Sequence, residues 1–188
     1  MKLLVLDNYD SFTYNLVYIL RELGEKPDVI RNNKITLEDV GQYDKILLSP
    51  GPGIPSEAGI MQDLVTEYGP TKSILGICLG HQGIGEAYGA RLENLGDVLH
   101  GVAHRATVTD SSERLFTDIP DVLTVGRYHS WTVVPDSMPA DLRITAVDEY
   151  GRVMGLTHIR HDVRGLQFHP ESVLTENGVK MIENWLTA

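Results

Sequence analysis

Ser73-Ile-Leu-Gly-Ile-Cys-Leu-Gly-His-Gln82 holds the only cysteine of the chain, Cys78, where an apolar run gives way to a helix. Ile74, Leu75 and Ile77 read as a buried strand, and Gly76 and Gly80 stand two residues to either side of the cysteine. This is the Gly-x-nucleophile-x-Gly spacing of a strand-to-helix elbow, with sulfur in the nucleophile position. A strained turn carrying a reactive side chain crowds its neighbours, and residues without a Cβ let strand and helix approach closely enough. The N-terminus of the helix brings its dipole and unpaired N–H groups to the sulfur and favours thiolate over thiol. A cysteine after an apolar strand would, by itself, read as an inert core residue. The glycine bracket sets Cys78 apart from that reading.

A second segment, Gln167-Phe-His-Pro-Glu-Ser172, supplies the partners a nucleophile needs. Residues two apart in extended chain point the same way, and Pro170 keeps His169 in the β or polyproline region. Glu171 is thereby placed to accept a hydrogen bond from one imidazole nitrogen, leaving the other to exchange a proton with sulfur. Nucleophile, base and orienting carboxylate are then Cys78, His169 and Glu171.

Around these segments the chain alternates strand and helix. Lys2–Leu6 is a short apolar run, followed by a helix with Phe12, Leu16, Ile19, Leu20 and Leu23 at helical spacing, begun by Asp10 or Ser11 and stopped at Gly24. Val29–Arg31 and Lys45–Ser49 are predicted strands, Thr36–Val40 a short helix, and Ile60–Tyr68 the helix before the strand that ends at Cys78. Beyond Ala90 strands dominate, around Ala106–Thr109, Val122–Tyr128, Leu142–Val147, Val153–His158 and Gly165–Phe168. A last helix, Asn177–Leu186, packs Val179 and Ile182, with Trp185 a further candidate. The expected fold is α/β, a doubly wound, mostly parallel central sheet flanked by helices with a β-rich C-terminal half, in one domain over residues 1–188.

Ligands collect at the carboxyl ends of parallel strands. There the chain places Asp7-Asn-Tyr-Asp-Ser11, Ser49-Pro-Gly-Pro-Gly53 and Cys78-Leu-Gly-His-Gln82. The Pro-Gly-Pro-Gly loop is stiff, with unobstructed glycine N–H groups. Gly53 N–H on one side and Leu79 N–H from the elbow suit an oxyanion hole, each donor contributing about 3–4 kcal/mol in the transition state.

Composition narrows the remaining possibilities. A net charge of −10 disfavours a basic surface for nucleic acid or anionic membrane. No apolar stretch approaches the length of a membrane span, and Met1–Leu6 runs into Asp7 too soon for a signal peptide. With one cysteine no intrachain disulfide forms, and the expected location is the cytoplasm. Of the seven histidines, neither His100 with His104 nor His158 with His161 lies in a metal-binding pattern, so no metal is expected. His81 points away from its neighbour Cys78 and reads as packing or partner contact. Asp7, Asp10 and Glu86 read as loop caps and helix surface.

The segments Leu6-Asp-Asn-Tyr-Asp-Ser-Phe-Thr-Tyr-Asn15, Ser49–Gly53, Gly76–Gln82, Arg127-Tyr-His-Ser130 and Gln167–Ser172 together resemble the class I, or triad, glutamine amidotransferases. Within that family they are most similar to the chorismate-utilising branch, the small subunits of anthranilate synthase and of aminodeoxychorismate synthase. The resemblance implies a flavodoxin-like fold and a glutaminase that passes ammonia to a larger synthase subunit binding chorismate and Mg²⁺. It implies no cofactor in this chain. It further implies that Gly51, Pro52 and Gly53, with Gln82 and the backbone at Ser130-Trp131, hold the amino-acid end of L-glutamine. The partner is expected to dock on the rim around Asp7–Ser11 and the elbow. The chain departs from the commoner family pattern at Gly83, at Trp131 and at Val102 in Leu99-His-Gly-Val102, none of them a member of the triad.

Overall fold

A computed structural model describes residues 1–96 and 101–187. Leu99 and His100, named above, and Ala188 lie outside the described residues. The first half of the chain runs β1 (Leu3–Asp7), α1 (Thr13–Glu22), β2 (Asp28–Arg31), α2 (Leu37–Val40), β3 (Lys45–Leu48), α3 (Met61–Tyr68), β4 (Ser73–Ile77) and α4 (Leu79–Ala87). The second half runs β5 (Leu92–Asn94), β6 (Val102–Val108), β7 (Val122–Arg127), β8 (Trp131–Val133), β9 (Leu142–Asp148), β10 (Val153–His158), β11 (Val163–Leu166) and α5 (Gly178–Leu186).

Among the described residues, nine strands form one sheet in the order β2-β1-β3-β4-β11-β10-β9-β6-β7. From β2 to β11 the neighbours are parallel; from β11 to β7 they are antiparallel. The change of direction at β11 is the structural form of the β-rich second half. The parallel part has the flavodoxin-like strand order, with β11 supplying the last parallel strand after a long excursion.

Both faces of the central parallel strands are covered, which is why β1, β3 and β4 carry near-continuous apolar runs rather than apolar residues at alternate positions. On β1, Leu3 and Val5 join a core with Leu16 and Leu20 of α1 and Met181, Ile182 and Trp185 of α5. Leu4 and Leu6 face the opposite way, against Met61, Leu64 and Val65 of α3 and Ile84 of α4. Each fully buried aliphatic side chain contributes about 1.5–3 kcal/mol, so the sheet is held between two helical layers.

Several features differ from the sequence expectation. Helix α1 starts at Thr13 rather than at Asp10 or Ser11, because the Asp10 carboxylate accepts from Phe12 N–H at 2.7 Å and ties up the chain one turn earlier. Val179 is exposed, since at 100° per residue it falls outside the arc of α5 that buries Met181, Ile182 and Trp185. Strand β11 spans Val163–Leu166, so Gln167, Phe168 and His169 lie beyond its carboxyl end. A small second sheet, β5 with β8, has no counterpart in the sequence pattern. Among the described residues, no helix is long and apolar enough to cross a membrane.

Candidate active site

The strain at Cys78 is measurable: its φ of 52° lies in a region that L side chains rarely adopt, and α4 begins at the next residue. Such a backbone costs about 1–3 kcal/mol and persists where its surroundings enforce it. The enforcement is close packing. A Cβ on Gly76 would sit 2.5 Å from the Gly80 carbonyl, and one on Gly80 would sit 2.5 Å from the Leu48 carbonyl of β3. Helix, elbow and two neighbouring strands therefore meet at main-chain distance. Leu79 opens the helix, so its N–H is one of the first-turn donors that have no intrahelical acceptor.

His169 follows β11, the parallel neighbour of β4, so it reaches the same end of the sheet as Cys78. Its N–H donates to Gly126 O at 3.1 Å, and Thr175 Oγ1 donates to its carbonyl at 2.6 Å. The ring is buried between Phe12 and Tyr128, with centroids 5.6 and 4.8 Å away. Nδ1 lies 2.6 Å from Oε1 of Glu171, whose side chain is fully buried. Burial alone would push the imidazole pKa down. The negative sulfur of Cys78 and then the Glu171 carboxylate outweigh it and raise the pKa to about 10. Nε2 is buried with no hydrogen-bond partner, which leaves it free for proton exchange at the sulfur.

Two cavities meet at the sulfur. One, of about 340 Å³, is lined by Cys78 together with Gly51, Pro52, Gly53, Gln82, Ser130 and Trp131. All six residues expected to hold a substrate thus share a wall with the cysteine. Gly53 has φ 73°, a conformation suited to glycine, which turns the Pro-Gly-Pro-Gly loop beneath the cavity. The other cavity, of about 400 Å³, opens on the far side and is lined by Tyr9, Asp10, Ser11, Phe12, Cys78, Tyr128 and His169, among others. Burial raises the Asp10 pKa there, partly offset by its bond from Phe12 N–H and by the His169 charge.

Further residues at the site lie outside the roles read from the sequence: Asn94, Tyr128 and His129 line the first cavity, and Gln167 directs Nε2 at the sulfur from 3.7 Å. Gln167 was discoverable, because it stands two residues before His169 and shares its face. Gln82 Nε2 donates to Trp131 O at 2.8 Å and to Gln167 Oε1 at 3.2 Å. The Trp131 carbonyl also receives His129 Nδ1–H at 2.7 Å, so both of its lone pairs are engaged within the protein. Leu95 N–H donates to the Ser130 carbonyl at 2.8 Å.

The other histidines and acids sit apart from this chemistry. His81 is fully buried over Gly165, where a Cβ would come within 2.8 Å of its ring, and burial lowers its pKa to about 4. It is a packing residue, closed off from any partner. Asp7 accepts from Tyr9 N–H, Asp10 N–H and Thr13 Oγ1, and Glu86 accepts from Gln62 at 2.9 Å. His104 faces Glu149 at 3.6 Å, and His158 Nδ1 accepts the backbone N–H groups of Arg160 and His161. Among the described residues, no group of three or more His, Cys, Asp or Glu is arranged to hold a metal. At Gly83 a Cβ would meet the terminal methyl of Met61 at 2.5 Å, the movable end of a flexible side chain.

Residues 4–188 match the family model for Glutamine amidotransferase class-I. Anthranilate synthase component 2 of Mycobacterium tuberculosis (strain H37Rv) is 44% identical over 192 residues, covering 100% of this chain and 82% of the relative. Aminodeoxychorismate synthase component 2 of Escherichia coli K12 is 43% identical over 186 residues, covering 98% of each. The crystal structure of a putative GMP synthase subunit from Thermoplasma acidophilum superposes with a TM-score of 0.88 at 27% identity, covering 100% of this chain and 92% of that one.

Proposed function

This chain belongs to the class I glutamine amidotransferases, and we propose that it is the glutaminase subunit of an anthranilate synthase, with Cys78, His169 and Glu171 as its catalytic triad. The observation that carries the reading is the strained cysteine sharing its cavity wall with six residues suited to glutamine, while a charged imidazole borders the sulfur from the other side.

In this mechanism the Cys78 thiolate attacks the side-chain amide carbon of glutamine. Gly53 and Leu79 N–H groups hold the oxyanion, and His169, protonated at rest, gives its Nε2 proton to the departing ammonia. Water then attacks the γ-glutamyl thioester with His169 as base, which releases glutamate and restores the thiolate–imidazolium pair. Glu171 keeps Nδ1 protonated and Nε2 directed at sulfur throughout. Gly51, Pro52, Gly53, Gln82 and the Ser130–Trp131 segment hold the amino-acid end. A site that pairs with a neutral amide disfavours the second carboxylate of glutamate.

Free ammonia is protonated and diluted in water, so the product needs an acceptor enzyme. The proposed partner is a larger synthase subunit that binds chorismate with Mg²⁺, this chain carrying no cofactor of its own. The cavity beside His169 is lined by the exposed Tyr9, and α1, which follows that loop, exposes Tyr14 and Tyr18, which supports docking on this side. The near-equal likeness to an aminodeoxychorismate synthase component 2, 43% against 44% identity, favours a second reading, in which the same chain serves that synthase instead or as well.

The deciding experiment mixes the chain with each synthase, chorismate, Mg²⁺ and glutamine, and identifies the aromatic amine. Anthranilate is expected. Cys78→Ser should lower glutamine-dependent synthesis by ~10⁴-fold or more and leave ammonia-dependent synthesis intact. Loss of both would defeat the division of labour, and glutamate release indifferent to either synthase would defeat the pathway.

A further inference from the structure

We infer that Arg127 is a positioning residue for glutamine: its Nε–H holds His129 in the one tautomer that anchors the Trp131 carbonyl, and so fixes the cavity wall relative to Cys78. The inference rests on the glutaminase reading above.

Arg127 ends β7 with its side chain wholly buried, paired at 2.7 Å with an equally buried Asp148. Removing two charges from water is costly, and apolar residues of similar volume would serve stability as well or better. The pair is therefore better explained by what it orders. Asp148 is itself fixed, because its other oxygen accepts the Tyr150 and Arg152 N–H groups at 2.9 Å. Arg127 Nε lies 3.1 Å from His129 Nε2. A guanidinium only donates and stays charged, so Nε2 must accept, and the ring proton is confined to Nδ1. That proton goes to the Trp131 carbonyl. Burial, and then the Arg127 charge, push the His129 pKa down to about 3, so the ring stays neutral wherever the enzyme works.

From the Trp131 carbonyl the hydrogen bonds continue through Gln82 and Gln167 to the sulfur. Without the Nε–H the ring is free to carry its proton on Nε2 or to turn over, and the Trp131 carbonyl loses one of its two donors. The segment that bears Ser130 and Trp131 then shifts against the substrate while the Cys78–His169–Glu171 chemistry is untouched.

Arg127→Lys preserves the charge opposite Asp148 but has no N–H at the Nε position. The variant is expected to fold with a melting temperature near that of the wild type. The KM for glutamine should rise about tenfold with kcat changed by less than about threefold, and the rate of Cys78 alkylation by iodoacetamide should not change. A wild-type KM in this variant overturns the inference, as does a fall of kcat and alkylation rate as large as the rise in KM, which marks a merely structural role. His129→Asn offers an amide N–H near the Nδ1 position, so adding Arg127→Lys to it should produce no further rise in KM; a further tenfold rise overturns the inference. Nitrogen-15 spectra of the wild type decide the case even where the variants fail to fold. Nδ1 protonated and Nε2 bare between about pH 5.5 and 8 supports the inference, and a protonated Nε2 overturns it. A wild type that releases no glutamate, alone or with either synthase, refutes the glutaminase reading and leaves the tautomer result standing separately.

Discussion

Close main-chain packing at one turn places Cys78, whereas His169, although it follows the parallel strand β11, is held with the cavity wall by side-chain and loop contacts that reach into the antiparallel half. On the parallel side one turn does the work: φ of 52° at the sulfur, and contacts at Gly76 and Gly80 whose shortest members are main-chain atoms that cannot swing aside. His169, by contrast, is held by Gly126 of β7, Thr175, Glu171 and the rings of Phe12 and Tyr128. The nucleophile is thus set by a rigid element with no slack, and the base by several modest contacts. The first arrangement should fail abruptly and the second by degrees.

Gly80→Ala is the severest test of that contrast. The new Cβ lands 2.5 Å from a main-chain carbonyl of β3, which cannot swing aside as a side-chain tip would. Overpacking of this kind costs about 3 kcal/mol, and a sulfur displaced by even an ångström loses ~10²-fold or more in turnover. Urea unfolding and glutamate release measure the two effects. If both stay near wild type, the elbow has slack and the contrast fails.

Glu171→Gln strikes the base instead, removing the orienting charge but keeping an oxygen for Nδ1–H. Turnover should fall by about 10²-fold, with stability reduced at pH 6, where the wild-type imidazolium contributes in full. The pH dependence of stability sharpens the point. His169 has its pKa raised in the folded state from 6.5 to about 10, so its contribution is fully present below about pH 6.5 and is lost as pH rises through about 10. In Glu171→Gln part of the upward pull is gone, so the contribution should be smaller at the acid end and its loss complete at a lower pH. Urea unfolding of both proteins between those limits checks the shift; coincident curves would mean that Glu171 does not charge-stabilise the imidazolium.

The same contrast explains which parts of the molecule were legible in its sequence. Gly76-x-Cys78-x-Gly80 and His169-Pro-Glu171 are complete within a few residues, and the strand-to-helix alternation of the parallel half follows from apolar runs that short-range periodicity reveals. The wall of the first cavity was another matter. Leu92–Asn94 and Trp131–Val133 are three-residue strands that pair with each other across a long interval, and Leu92–Asn94 has an exposed, polar face. No periodicity marks such a pair. The importance of His129 depends on Arg127 beside it and on Asp148 from another strand, a relation the backbone must first create. Val179 looked like a core residue because valine is apolar; the register of α5 is set by Met181, Ile182 and Trp185, and leaves it in solvent.

Tyr128→Phe carries the smallest expected effect and tests the graded side of the contrast most closely. The hydroxyl of Tyr128 lies 3.1 Å from Ser172 Oγ, linking the strand-end segment after β7 to the loop that bears Glu171. Removing it leaves the ring stacked on His169 and Phe12, and Ser172 Oγ still accepts from Leu174 N–H at 3.1 Å. Nothing buried is left without a partner, so the loss should be that of one neutral hydrogen bond, about 1 kcal/mol, or about 2–4 °C in melting temperature. Turnover should change by less than about threefold, because the position of the imidazole rests on ring packing and several main-chain bonds that survive. A loss of tenfold or more would mean that this single hydroxyl fixes the base as strictly as the glycines fix the sulfur, and the two halves of the site would then be rigid alike.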